Sequence, residues 1–172
     1  MTQATGVALG EVSAQLRALT QFDEYGHWDI NLAVVGATML AVAACVLLHY
    51  EGLNLLSRGL AHMGGKRRRR VLAGIFGVLV VHVLEIWIFG MVLYGLLWAD
   101  GRFGTLHGIA TGSFFDHVYF SAVTYSTVGF GDVIPAGPIR FLVGTEALTG
   151  FVLITWSASF TYLEMERYWR RE

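Results

Sequence analysis

Three long apolar stretches dominate the pattern of hydrophobic and polar positions along the chain. Residues 30–48 contain no charged side chain, and residues 71–98 and 139–162 are apolar apart from a few ionisable residues. A helix needs roughly 20 apolar residues to cross the hydrocarbon core of a bilayer. The pattern therefore predicts an all-α membrane protein with three transmembrane helices.

Between the second and third stretches, the pattern predicts a short helix that enters the membrane and turns back. Residues 100–112 are rich in glycine and polar side chains. Ser113 with Asp116 three residues later is typical of a helix N-terminus, because such pairs satisfy free backbone N–H groups. A helix over residues 113–125 is too short to cross a bilayer. We expect it to be re-entrant and to lead into residues 127–132.

Two amphipathic stretches flank the first apolar stretch. Within residues 1–29, apolar residues recur at helical spacing, which indicates a helix at the membrane surface or, alternatively, a frayed polar tail. Residues 51–63 carry a second apolar stripe, which ends before two glycines. We expect an N-terminal segment over residues 1–29, followed by a first transmembrane helix and a basic loop within residues 30–70.

The basic residues predict how the chain lies across the membrane. The net charge is only -1, but basic side chains concentrate in the run Lys66, Arg67, Arg68, Arg69 and Arg70 and at the C-terminal residues Arg167, Arg170 and Arg171. Basic residues in short loops stay on the cytoplasmic side. The charge therefore predicts a multi-pass protein of the cell inner (plasma) membrane, with its N-terminus outside and a cytoplasmic tail over residues 163–172. It also predicts that the re-entrant segment enters from outside.

The basic run has a second interpretation beside topology. Clustered lysine and arginine next to a transmembrane helix also bind anionic lipid head groups. The lipid-facing role of residues 66–70 and the positive-inside rule both fit the pattern.

Composition and motif content exclude several classes of function. The chain has 172 residues, of which 55% are hydrophobic and 15% charged, which favours a membrane protein over a nucleic-acid-binding one. The sequence shows no nucleophile–base pair, phosphate-binding loop or metal-ligand cluster, so we expect neither an enzyme nor a cofactor. No compact apolar region follows Met1, so we expect no secretory signal peptide. Cys45, the only cysteine, lies in an apolar run and says little about redox compartment.

The most specific motif is the run Thr127-Val128-Gly129-Phe130-Gly131-Asp132. Glycine at alternate positions permits backbone dihedrals that other residues disfavour, so successive carbonyl oxygens can face the same way. The run resembles the selectivity filter of the potassium-channel superfamily, whose loop Thr-Val-Gly-Tyr-Gly replaces the hydration shell of K⁺ with carbonyl oxygens. It differs from that loop at Phe130, which lacks a hydroxyl that can tie the filter to its neighbouring helix.

The resemblance extends over residues 71–162, which look like the pore domain of bacterial two-transmembrane potassium channels with one extra helix in front. It implies an outer helix over residues 71–98, a pore helix over residues 113–125 and an inner helix over residues 139–162. It also implies K⁺ ions bound by the carbonyl oxygens of four filter residues, namely Thr127, Val128, Gly129 and Phe130, with Gly131 and Asp132 at the outer mouth.

Further implications of the resemblance concern assembly and gating. One chain supplies one quarter of such an ion cage, so the functional unit is expected to be a homotetramer. K⁺ and membrane lipids are then the expected partners. By the same resemblance Gly150 is a candidate gating hinge, although glycine at this position would also permit close helix packing. No helix carries arginine at every third position, so no voltage sensor of the usual kind is expected.

Three ionisable residues fall within the apolar stretches. His82 and Glu85 lie in the second stretch and Glu146 lies in the third. Ionisable groups at that depth are expensive unless they face protein or water. We expect a buried network behind the filter, in which Glu146 bonds a pore-helix hydroxyl, Thr124 or Ser126, or pairs with His82 or Glu85. Such a network either makes conduction depend on pH or is purely structural.

The sequence leaves three hypotheses about function. The first is a potassium-selective ion channel subunit. The second is a weakly selective cation channel, since Phe130 alters the support of the filter. The third is an accessory membrane protein with a vestigial pore loop, which the intact run over residues 127–132 argues against.

Overall fold

The computed structural model describes residues 27–63, 67–98, 101–109 and 113–169. The amphipathic stretch before residue 27, Lys66 and the C-terminal arginines at positions 170 and 171 lie outside the described residues. The side chain of Arg167 does so as well.

Four helices and two short strands make up the described chain. Their bounds are α1 Trp28–His62, α2 Arg67–Trp98, β1 Thr105–His107, α3 Phe114–Tyr125, β2 Ile134–Ala136 and α4 Arg140–Trp169. Helices α1, α2 and α4 are each long and apolar enough to cross a membrane. The prediction of a mainly helical membrane protein with three spanning helices is therefore confirmed.

Helix α1 is longer than the sequence pattern suggested. We expected a spanning helix over residues 30–48 and a separate amphipathic stripe over residues 51–63, but one continuous helix of 35 residues contains both. No proline interrupts it, and the stripe residues Leu53 and Leu60 are buried within the molecule. A helix of this length measures about 52 Å and projects well beyond a hydrocarbon core of about 30 Å.

The basic run is also placed differently from expectation. Arg67, Arg68, Arg69 and Arg70 form the first turn of α2 instead of a loop. Positive charge at a helix N-terminus opposes the helix dipole. One guanidinium has a compensating contact, because Arg70 Nε donates to the carbonyl of Met63 at 2.7 Å, where α1 ends.

A small antiparallel ribbon joins the two loops on either side of α3. Strand β1 pairs with β2, with Thr105 opposite Ala136 and His107 opposite Ile134. Three-residue strands carry too little alternation to be predicted, so nothing in the sequence indicated strand β1 in the glycine-rich stretch that precedes α3. Gly104 has a φ of 125°, and a Cβ there would lie 2.2 Å from the carbonyl oxygen of Ala136, so only glycine permits this approach.

Helix α3 lies in the angle between α2 and α4, and α1 packs against the same two long helices. The core is formed by buried side chains from all four helices, including Cys45, Phe89, Leu93, Tyr125, Leu142 and Leu153. Helix α4 continues to Trp169, so the short tail expected from residue 163 is largely helical. The fold holds the C-terminal end of α3 at the centre of the molecule.

Candidate functional site

The C-terminal end of α3 sets the position of the filter-like run. Ser113 caps the helix, and its side chain accepts from the backbone N–H of Asp116, as the sequence predicted. At the other end, the N–H of Thr127 donates to Thr124 O at 2.9 Å, and the N–H of Val128 donates to Val123 O at 3.1 Å. The run therefore starts against the last helical carbonyls, at the negative end of the helix dipole.

The backbone of the run alternates in handedness. Thr127, Gly129 and Gly131 have φ values of 60°, 53° and 77°, whereas the intervening Val128 and Phe130 do not lie in the left-handed region. Such alternation turns successive carbonyl oxygens toward the same side of the chain. Thr127 adopts this conformation despite its branched side chain, at some cost in strain.

The outer end of the run is held by α3. Tyr119 donates its hydroxyl to Asp132 Oδ2 at 2.7 Å, and this hydrogen bond raises the pKa of Tyr119 above its ordinary value. The sequence suggested that Phe130 leaves the filter without a hydroxyl tie. The structure supplies one from the helix side, between Tyr119 and Asp132.

The run is uncovered in a single chain. Val128 and Phe130 expose 56% and 69% of their surface, and all positions from 127 to 132 are exposed. Irregular backbone at membrane depth is tolerated only where protein or a water-filled cavity surrounds it. In a membrane this run therefore needs further protein or a water-filled cavity around it.

Behind α3, Glu146 of α4 contacts Ser121 of α3. Ser121 donates to the carbonyl of Ile86 at 2.8 Å, and its hydroxyl oxygen also makes a very short contact with Glu146 Oε1. A hydroxyl carries a single proton, so both contacts are satisfied together when Glu146 carries a proton and donates it to Ser121 Oγ. Glu146 is fully buried, so a carboxyl group without a partner here would be costly.

A second buried group joins three helices, and we call it the His49–Glu85 cluster: His49 of α1, His82 and Glu85 of α2, and Tyr125 of α3. His49 Nδ1 donates to Glu85 Oε1 at 2.8 Å. Glu85 Oε2 accepts from Tyr125 at 2.5 Å and from His82 Nδ1 at 2.9 Å. The carboxylate is fully buried, and three donors from three helices satisfy it.

The predicted network of His82, Glu85 and Glu146 is therefore divided between two places. His82 and Glu85 meet in the His49–Glu85 cluster, whereas Glu146 bonds Ser121 instead of Thr124, Ser126 or either residue of α2. Both places lie behind α3, because Ser121 and Tyr125 are one helical turn apart.

Sequence reasoning missed three members of these networks, namely His49, Ser121 and Tyr125. His49 directly follows the first apolar stretch over residues 30–48, and nothing in its position along the chain indicated a buried network. Its separation by 36 residues from Glu85 gives no local signal. Tyr125 and Ser121 share the inner face of α3, since they are four residues apart, and this spacing was the available clue.

Gly150 packs directly against the end of α3. A Cβ on Gly150 would lie 2.0 Å from the carbonyl oxygen of Tyr125. Helix α4 runs continuously through this position. The contact favours the packing interpretation of Gly150, in which glycine lets α4 approach the start of the filter, and the hinge stays a prediction.

Comparisons with known proteins agree with this arrangement. A family model described as an ion channel matches residues 75–165. The chain is similar to the inward rectifier potassium channel Kirbac3.1 of Paramagnetospirillum magnetotacticum, with 42% identity over 57 residues, which are 33% of this chain and 19% of that protein. The chain thus covers about a fifth of that relative's length. No solved structure matches it significantly.

Proposed function

Because this chain belongs to the ion-channel family matched over residues 75–165 and carries a pore domain of the potassium-channel superfamily, we propose that it is one subunit of a potassium-selective channel. The observation that carries the proposal is the alternating backbone of the filter, with left-handed φ at Thr127, Gly129 and Gly131. This backbone aligns carbonyl oxygens, and aligned carbonyl oxygens are the ligands that replace water around K⁺.

Conduction would proceed by exchange of water for backbone oxygens. K⁺ sheds its hydration shell onto the carbonyl oxygens of Thr127, Val128, Gly129 and Phe130 and passes between successive sites. The negative end of the α3 dipole stabilises a cation near Thr127. The ion crosses passively, and no group of the protein is consumed.

The filter calls for a homotetramer. One chain offers carbonyl oxygens on one side only, and the exposed side chains of Val128 and Phe130 need a protein cover. Four copies around a four-fold axis supply both the cage and the cover. The proposed subunit therefore works only in the assembled state.

The proposed orientation follows from charge. Arg68 and Arg69 are exposed at the N-terminal turn of α2, and such residues favour the cytoplasmic side of the plasma membrane. The N-terminus is then outside, and the filter is entered from outside. Anionic lipid head groups are the proposed partners of this basic turn.

A flux assay with a matched pair of glycine variants tests the proposal. The full chain is reconstituted into liposomes loaded with K⁺, and K⁺ efflux is measured. Gly131→Ala places a side chain at a φ of 77° and should abolish efflux. Gly95→Ala, in α2 with open space around it, should conduct like the wild type. Equal efflux from Gly131→Ala and wild type would count against conduction through this filter.

The weakly selective cation channel remains the second candidate, favoured by Phe130 in the tyrosine position. It shares the fold, the tetramer and the filter backbone with the first. It differs in the permeability of Na⁺, and only that measurement separates the two.

A further inference from the structure

The His49–Glu85 cluster brings metal-ligating atoms together inside the helix bundle. One ligand atom from each of His49, His82 and Glu85 lies within 4.8 Å of the other two. The two imidazole rings are adjacent, with centroids 5.4 Å apart. Two histidines and one carboxylate are a common ligand set for Zn²⁺. The sequence offered only His82 and Glu85, which are too few to indicate a site, and the fold adds His49 from another helix.

We propose that His49, His82 and Glu85 form a binding site for Zn²⁺ or a similar divalent transition-metal ion. The donor set selects this class of ion, because imidazole suits Zn²⁺, whereas Mg²⁺ and Ca²⁺ prefer oxygen ligands alone. The carboxylate also offsets part of the charge of the ion within the membrane.

In the structure, hydrogen bonds join the side chains that would ligate the metal ion. His49 Nδ1 and His82 Nδ1 point at opposite oxygens of Glu85, at 2.8 and 2.9 Å. Ligands of a tetrahedral Zn²⁺ lie about 3.3 Å apart. The two contacts to Glu85 must therefore widen by about 0.5 Å, and ligand atoms as far apart as 4.8 Å must move closer, so metal binding requires the side chains to rotate. The three residues fill three positions, and Tyr125 Oη, which lies 2.9 Å from His82 Nδ1, adjoins the fourth.

The surroundings of His49 favour ligation through Nδ1. A neutral imidazole that binds metal through Nδ1 carries its proton on Nε2, and a partner for that N–H fixes the ring. His49 Nε2 lies 3.4 Å from Ser157 Oγ of α4. The ring is also in contact with Trp156 at a centroid distance of 5.2 Å, so it is held on the side away from Glu85.

The cluster is least buried at His82. His82 is 13% exposed, whereas His49 and Glu85 are fully buried. His82 lines a groove of about 440 Å³, together with Val78, Ser157 and Thr161. His82 is therefore the ligand nearest the surface of the chain.

A metal ion bound here would connect α1, α2 and α3 at one point. His49 is the contribution of α1, the helix that precedes the region of the family match. The site would thus fasten this additional helix to the base of the filter through Tyr125. Metal binding can be measured without ion flux, so a failure of the metal-site proposal is distinguishable from a failure of the proposed conduction.

The test is a Zn²⁺ titration of the purified full chain. Protein stripped with EDTA competes with a chromogenic chelator for added Zn²⁺, and wild type should bind one ion per chain. His49→Gln and His82→Gln should each weaken binding by about tenfold or more, since loss of even an outer partner costs this much. Glutamine retains an N–H that can donate to Glu85, so the variants should fold.

Matched controls remove exposed histidines from elsewhere in the chain. His62→Gln and His107→Gln lie at exposed positions and should bind Zn²⁺ like wild type. Excess Mg²⁺ should not compete. Equal binding by His49→Gln and wild type, weakening in the control variants, or no binding to wild type would each overturn the site.

A second readout covers the case in which a variant fails to fold. Co²⁺ in a tetrahedral site gives strong visible absorption, and wild-type protein should show it after Co²⁺ replaces Zn²⁺. A spectrum typical of octahedral Co²⁺ in the folded wild type would contradict the site without any variant.

Discussion

At the scale of single residues, the membrane interior makes each polar contact behind the filter expensive to lose. Glu85 has three donors, and Glu146 shares its contact with a serine that also bonds a backbone carbonyl. A buried polar group left without its partner costs about 1–3 kcal/mol. These contacts therefore hold α3 in place in addition to the apolar core.

Replacement of Glu146 tests its role as a donor. Glu146→Gln keeps an N–H that can donate to Ser121 Oγ, so we expect a stability within about 1 kcal/mol of wild type. Glu146→Ala leaves a cavity and should cost about 2–4 kcal/mol. Thermal unfolding of the purified protein measures both. The donor role is wrong if the glutamine variant loses as much stability as the alanine variant.

The Glu146→Gln variant also addresses the pH dependence of conduction. If Glu146 acts only as a neutral donor, Glu146→Gln should leave the dependence of open probability on pH unchanged. A loss of that dependence in single-channel recordings would instead show that Glu146 is a proton switch.

Gly150 gives a prediction from close packing. Gly150→Ala puts a methyl group 2.0 Å from Tyr125 O, and such overpacking should destabilise the protein by about 1–3 kcal/mol. Gly36→Ala, at an exposed helical position with open space around it, should stabilise by up to about 1 kcal/mol. Unfolding midpoints of the two variants provide the comparison. A Gly150→Ala protein as stable as wild type would refute the packing role.

At the scale of elements, the sequence predicted the short helix well, since Ser113 marks its start and the glycine-rich run marks its end. It failed where no local signal exists. The continuity of α1 through residues 51–62 depends on burial of Leu53 and Leu60 within the molecule, and a stripe of this kind also suits a membrane surface. The β1–β2 ribbon depends on pairing between loops 29 residues apart.

The hydrogen bond from Tyr125 of α3 to Glu85 of α2 gives a prediction at this scale. Tyr125→Phe removes the hydroxyl that donates to Glu85 Oε2 and loosens the end of α3 from which the filter starts. We expect lower K⁺ selectivity over Na⁺ in a flux assay, with the fold retained. Tyr50→Phe, at an exposed position, is the matched control and should behave like wild type. Equal selectivity in both variants would mean that the Glu85–Tyr125 contact does not support the filter.

At the scale of the whole molecule, the three apolar stretches predicted the number of spanning helices, and the filter run predicted the family. The two buried networks could not be predicted, because His49 and Glu85, or Ser121 and Glu146, meet only after the helices pack. Helix α1 is thereby connected to Tyr125, the last residue of α3, through one carboxylate that accepts from three helices.

We propose that the filter of this chain selects K⁺ over Na⁺, because aligned carbonyl oxygens replace the hydration shell of K⁺. The most direct measurement is the reversal potential of the wild-type protein in a planar bilayer, with K⁺ on one side and Na⁺ on the other. We predict a reversal potential close to the K⁺ equilibrium potential, which corresponds to a large K⁺ over Na⁺ permeability ratio. A permeability ratio near one would contradict the claim and identify a weakly selective cation channel.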